Sequence, residues 1–162
     1  MNKENFTISY ETFDTINELS PAEQALCHQA EEALKSSHSP YSKFRVGTAV
    51  QLAGGEVVLG SNQENVAYPS GLCAERVALF SIGAAYKDAC ITTMAITAYT
   101  DQFKIEQPVT SCGACLQVMA EYEKKQGKPM TILFYCLGGK IIKVKGINSL
   151  LPFAFVEDRL GS

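Results

Sequence analysis

Residues 111–118 read Ser111-Cys112-Gly113-Ala114-Cys115-Leu116-Gln117-Val118. The two cysteines stand three apart at the start of a stretch that predicts a helix over about 112–124. At that spacing both sulfurs lie on one side of the helix. The helix N-terminus favours thiolates, the form of cysteine that binds metal. Alone, this motif fits a redox pair, half of a metal site, or two packed cysteines. Upstream, Cys73-Ala74-Glu75 opens a second predicted helix, about 73–86, and a single β-rich run, Ile91 to Tyr99, separates the two helices. Two helices flanking one strand can bring their N-termini to one edge of a sheet. That arrangement gathers Cys73, Cys112 and Cys115 as three ligands for one zinc ion. Three protein ligands with an open fourth position describe a catalytic zinc, whereas structural sites usually have four.

The only two histidines, His28 in a first predicted helix and His38 in a turn, read as surface or capping residues rather than as a fourth ligand. Glu75, two residues after Cys73, lies beside such a metal without binding it. Zinc lowers the pKa of its bound water towards roughly 7, and a neighbouring carboxylate is suited to move that proton as general acid/base. Without the cysteines, Glu75 would read as an ordinary first-turn acid favoured by the helix dipole.

Outward from these motifs the chain alternates. Ser20-Pro21-Ala22-Glu23 writes a helix start with a capping box and a proline at the first helical position. Ala22, Ala25, Leu26, Ala30, Ala33 and Leu34 continue it as one apolar face, and Ser36-Ser37-His38-Ser39-Pro40 ends it. Val46 to Leu52 and Val57 to Gly60 form a hairpin around Ala53-Gly54-Gly55. Met130 to Leu137 and Lys140 to Lys145 form another pair of strands around Gly138-Gly139. The order α-β-β-α-β-α-β-β predicts an α/β protein, a three-layer α/β/α domain with a central five-stranded sheet. In the first 19 residues, Phe6, Ile8 and Tyr10 alternate with polar residues, which suits either a short half-buried strand or a loose arm. We therefore read 1–19 as an N-terminal extension and 20–162 as a single catalytic domain.

Composition bounds the partners. At 162 residues the chain is one domain on a prior of roughly 150 residues each. Its core is large enough to need no disulfide staples. A net charge of −3 and a pI near 5.4 argue against a nucleic-acid binder. No apolar run reaches the roughly 18 residues that span a bilayer. No apolar signal follows Met1, so a cytoplasmic setting with reduced thiols is expected. There Cys27, Cys90 and Cys136 read as small buried apolar residues.

The motifs resemble the small, nucleoside-type cytidine deaminase family. Its pattern is matched in order by Pro40-Tyr41-Ser42-Lys43-Phe44-Arg45-Val46-Gly47, Asn62-Gln63-Glu64-Asn65-Val66-Ala67-Tyr68, Cys73-Ala74-Glu75-Arg76-Val77-Ala78, the 111–118 stretch, and Leu150-Leu151-Pro152-Phe153-Ala154-Phe155. A ligand-x-Glu followed by Pro-Cys-x-x-Cys is the zinc-deaminase signature, matched here except at the proline. The resemblance spans about 20–155 and implies the family's mixed-sheet fold. It also implies zinc-dependent hydrolysis of cytidine and deoxycytidine to uridine and deoxyuridine plus ammonia, in pyrimidine salvage. On it, Cys73, Cys112 and Cys115 hold zinc, and Glu75 carries a proton from water to cytosine N3 and then to the departing amine. Asn62 and Glu64 bind the ribose, an amide and a carboxylate both being able to accept from sugar hydroxyls. The backbone near Ala74 reads the base edge. Phe44 stacks on the base, and Phe155 does so from a neighbouring subunit of a homotetramer with shared active sites. Read without the family, both phenylalanines also fit core packing, and Asn62 and Glu64 fit a turn at a strand end.

Arg76 matches one of two family arginines beside the sulfurs, but Leu116 stands where the other is usual. Three thiolates on Zn²⁺ sum to a charge of −1, so this chain has one positive charge fewer to offset it. Ser111 replaces a proline before Cys112, making that helix start less rigid, and Arg45 stands where proline is common. The remaining alternatives are a deaminase of a nucleoside-like compound such as blasticidin S, a disulfide oxidoreductase on Cys112 and Cys115, and a non-catalytic zinc-binding homologue.

Overall fold

The structure, a computed structural model, describes residues 1–157. The elements run β1 (Tyr10–Phe13), α1 (Pro21–Ala33), β2 (Phe44–Leu52), β3 (Val57–Ser61), α2 (Ala74–Ala85), β4 (Ile91–Thr100), α3 (Gly113–Gln126), β5 (Thr131–Tyr135) and β6 (Ile141–Lys145). They build a mixed sheet of order β1-β6-β5-β4-β2-β3 in which β4 and β5 are parallel and all other neighbours antiparallel.

The sheet has six strands, not the expected five. The sixth is β1, which pairs antiparallel with β6 from Tyr10 opposite Val144 to Phe13 opposite Ile141. The strand reading of the first 19 residues is therefore right in kind and displaced in place. Phe6 and Ile8 precede the strand and are exposed. A two-residue period alone does not say where an edge strand finds its partner.

The local signals for α1 hold. Ser20 Oγ accepts from the Glu23 amide, and Glu23 Oε2 accepts from the Ser20 amide, closing the capping box around Pro21. Leu26, Cys27 and Ala30 of α1 bury one side of the sheet against Ala49, Ala95 and Leu133. The other side, carrying Val50, Met94, Ile96, Ile132 and Phe134, is covered by Leu79 and Ile82 of α2 and Met119 of α3. Residues 94, 95 and 96 thus alternate between the two cores, the period-2 signature of a strand covered on both faces. The result is the expected three-layer α/β/α architecture.

Two glycines set the spacing of these layers. A Cβ on Gly47 would meet the Ala30 carbonyl, so α1 lies directly on β2. A Cβ on Gly60 would meet the Ala74 carbonyl and come within 2.8 Å of the Ala78 amide, so the first turn of α2 rests on β3.

The topology also places the two cysteine-bearing helix starts together. β3 and β4 are both antiparallel to β2 and hence parallel to each other. Their C-terminal residues Ser61 and Thr100 lie opposite Gly47 and Phe44, at the same end of β2. The helices that follow β3 and β4 therefore both begin at one end of the sheet, where α/β folds present their ligand sites.

Candidate metal centre and active site

Cys73 is the N-cap of α2 and Cys112 the N-cap of α3, with Cys115 one turn into α3. Their Sγ atoms all lie within 4.8 Å of one another. Cys73 Sγ is 3.9 Å from Cys112 Sγ, which is 3.5 Å from Cys115 Sγ. Tetrahedral zinc with Zn–S bonds near 2.3 Å sets its sulfurs about 3.8 Å apart, so the spacing fits that ion. Neither sulfur makes a cap hydrogen bond to the first turn's backbone, so both stay available to a ligand, and the helix dipoles favour their anionic form.

The charges agree with that reading. A hydrogen bond from Cys115 is the main influence pushing the Cys73 thiol down to about 6; it prevails over burial with help from Arg76, whose Nη2 lies 3.8 Å from Cys73 Sγ. Cys115 is pushed up in turn, by donating to Cys73 and by its own burial. Cys73 and Cys115 are thus linked through one thiol proton, and a cation bound by thiolates takes the place of thiol protons. Leu116 instead packs against the core beneath α2 and α3, so no positive charge arises at that position.

Glu75 is only 4% exposed and lines a cavity of about 660 Å³ together with Cys73, Cys112 and Arg76. Its Oε1 accepts a hydrogen bond of 2.7 Å from Ser111 Oγ. The sequence offered Ser111 only as a loosened helix start, yet its hydroxyl ties the loop before α3 to α2. Its position directly before Cys112 was the available signal. Tyr41 and Tyr68, edge to face with ring centroids 6.2 Å apart, also line the cavity, with Val46, Leu72 and Ile96 as apolar wall.

Asn62 and Glu64 reach the cavity, but much of their hydrogen-bonding capacity is already used. Asn62 Oδ1 accepts from the Val46 amide and from Ser37 Oγ, and Nδ2 donates to the Phe44 carbonyl. Both oxygen lone pairs are taken, so the amide retains one N–H donor for a ligand. Glu64 accepts from the Tyr41 and Ser42 amides and from Ser42 Oγ. Burial alone would raise its pKa, but these hydrogen bonds outweigh it and hold the carboxyl below its ordinary range.

Three expected residues do not line the cavity. Ala74 is fully buried, its carbonyl turned to Gly60, while its amide is one of the free N–H groups of the helix start. The Phe44 ring stacks on Phe103 at 6.3 Å. Phe155 is 71% exposed, with its backbone held by Gln117. His28 sits on the surface beside Glu31, and His38 is exposed, bonded through its backbone to Asn62 and Glu64. Cys27 and Cys136 are buried as expected; Cys90 is only half-buried.

Residues 20–128 match the family model described as the cytidine and deoxycytidylate deaminase zinc-binding region. The chain is 37% identical over 135 residues to the cytidine deaminase of Halalkalibacterium halodurans, covering 83% of this chain and 95% of that protein. It is 35% identical over 137 residues to that of Sporosarcina psychrophila, covering 85% and 93%. The fold is similar to the crystal structure of cytidine deaminase from Burkholderia pseudomallei, with a TM-score of 0.71 and 31% identity over 85% of this chain and all of that one.

Proposed function

The chain belongs to the zinc-binding cytidine and deoxycytidylate deaminase family, and on that premise we propose that it deaminates cytidine and deoxycytidine hydrolytically. Water and the nucleoside give uridine or deoxyuridine and ammonia. The observation that carries this reading is the meeting of three thiols, from the starts of two different helices, beside a cavity that Cys73, Cys112 and the buried Glu75 line. Bound there, zinc supplies a water activated towards attack at neutral pH.

Each residue then has a task. Cys73, Cys112 and Cys115 hold the ion, and Arg76 offsets part of their negative charge. Glu75 accepts one proton of the water and passes it to the ring nitrogen N3, then takes the second from the new C4 hydroxyl and passes it to the leaving amine, which departs as ammonia as the C4 carbonyl forms. The Ala74 amide, at the positive end of α2, addresses the base edge. Asn62 donates its remaining N–H to the ribose, and Glu64 accepts from a ribose hydroxyl. Phe44, placed against Phe103, reaches the base only if its ring turns inward. Phe155 points outward, as a residue serving a neighbouring subunit would, and we assign the assembly as a homotetramer with shared active sites.

The extension of 1–19 contributes β1 to the sheet of a single catalytic domain of 20–162, whose last residues, 158–162, lie outside those described. No helix among the described residues is long and apolar enough to cross a membrane, and six cysteines without a disulfide fit a reducing cytoplasm.

The test is ultraviolet-monitored turnover of cytidine by zinc-replete protein, with Glu75→Ala as control. Conversion to uridine that the variant lacks supports the reading; no turnover of either nucleoside by wild-type protein holding one zinc per chain refutes it.

A further inference from the structure

Within the deaminase reading, on which this inference rests, we propose that Ser111 is a positioning residue that fixes the Glu75 carboxylate for proton transfer. The hydroxyl of Ser111 donates to Glu75 Oε1 at 2.7 Å. A carboxylate can only accept, so the single serine proton is committed to it. Among the described residues Oε2 has no hydrogen-bond partner and is not fully buried, and Glu75 lines the cavity. The two oxygens therefore divide: Oε1 is tethered and Oε2 remains open to the cavity.

The tether matters because of what it joins. Glu75 lies in the first turn of α2, and Ser111 ends the irregular segment between β4 and α3 that also brings Val109 and Thr110 to the cavity. Glu75 follows one zinc-ligand candidate by two residues and Ser111 precedes another directly. The bond thus ties the carboxylate to the partner helix rather than to its own backbone. A glutamate has three side-chain torsions, and without the bond only packing limits them. Displacing a catalytic group by about 1 Å costs up to roughly a hundredfold in rate, so one hydrogen bond at this place bears on turnover more than on stability.

The experiment compares wild-type protein, Ser111→Ala and Ser111→Thr. It measures bound zinc, kcat and KM for cytidine, and calorimetric affinity for uridine and for tetrahydrouridine. The saturated C4 of tetrahydrouridine carries a hydroxyl and imitates the tetrahedral carbon of the reaction. In Ser111→Ala we expect unchanged zinc, KM within about twofold, and kcat lowered about tenfold. Tetrahydrouridine affinity should fall by a similar factor while uridine affinity holds. Ser111→Thr, which keeps the hydroxyl, should recover most of both losses. The assignment is overturned by an unchanged kcat in Ser111→Ala, by parallel loss of both affinities, or by equal damage from the two substitutions. Wild-type protein that binds neither compound and turns over no cytidine overturns the deaminase reading, and the assignment with it.

Discussion

Gln117 holds Phe155 by both of its backbone groups: Nε2 donates to the Phe155 carbonyl at 2.8 Å, and the Phe155 amide donates to Oε1 at 3.0 Å. An amide side chain presents one donor and one acceptor side by side, so it pairs with an extended residue much as a neighbouring strand would. The bracket fastens the C-terminal segment to α3 and turns the ring of Phe155 to solvent. If that ring serves a neighbouring subunit, Gln117→Leu and Phe155→Ala should each raise KM several-fold. The double variant should do no worse than the more severe single one, a coupling of about 1 kcal/mol. Additive effects in steady-state kinetics would separate the two residues.

Removing a sulfur should remove the metal. Cys73→Ser, Cys112→Ser and Cys115→Ser should each bring zinc from about one ion per chain to near none, read by atomic emission. Chelation of the wild type should lower its melting temperature, because an ion held only by the folded chain at a hundredfold excess over its Kd contributes about 2.7 kcal/mol. A wild-type protein whose melting is indifferent to chelator would contradict the site.

Lys143 Nζ lies 2.9 Å from Glu23 Oε1, with side chains 25% and 18% exposed. For Glu23, burial alone would raise the pKa, but the bonds from Lys143 and Ser20 outweigh it and hold it below its ordinary 4.5. A depressed carboxylate stabilises the fold above its unfolded pKa and loses that contribution as pH falls through the folded value. Lys143 is raised above 10.5, chiefly by its bond to Glu23, so its share is present below that value and lost as pH rises through the folded one. Urea unfolding of Lys143→Met should therefore show a loss of about 0.5–1 kcal/mol at neutral pH. The loss should shrink as pH is taken well below 4.5.

Leu116, next to Cys115, packs partly buried against the core, at the position where the family resemblance leads one to expect a second arginine. Leu116→Arg should shift the acidic limb of the pH–rate profile to lower pH, by roughly half a unit to one unit. An added positive charge favours the deprotonated form of a nearby acid. Because a half-buried leucine is also lost, melting temperature belongs beside the kinetics. An unmoved profile in a folded, zinc-bound variant would show that Arg76 and the two helix starts already suffice.

Much is legible in the amino-acid sequence, and it is the part governed by neighbours along the chain. The capping box at Ser20 and Glu23, the glycine hairpin, and the helix starts at Cys73 and Cys112 are written within a few residues of where they act. Caps, turns and periodicity are short-range physics. The metal triad was readable because each half of it occupies one helix N-terminus. Tertiary structure alone decided the rest. It paired Tyr10–Phe13 with β6, set β3 and β4 parallel across β2 so that α2 and α3 start together, and brought Ser111 to Glu75. It also occupied the Asn62 oxygen with Ser37 and the Val46 amide and set Phe44 against Phe103. These are contacts between segments far apart in the chain, chosen by strand register and by which hydrogen-bonding groups remain unsatisfied once the layers pack. No local pattern of residue types carries that information.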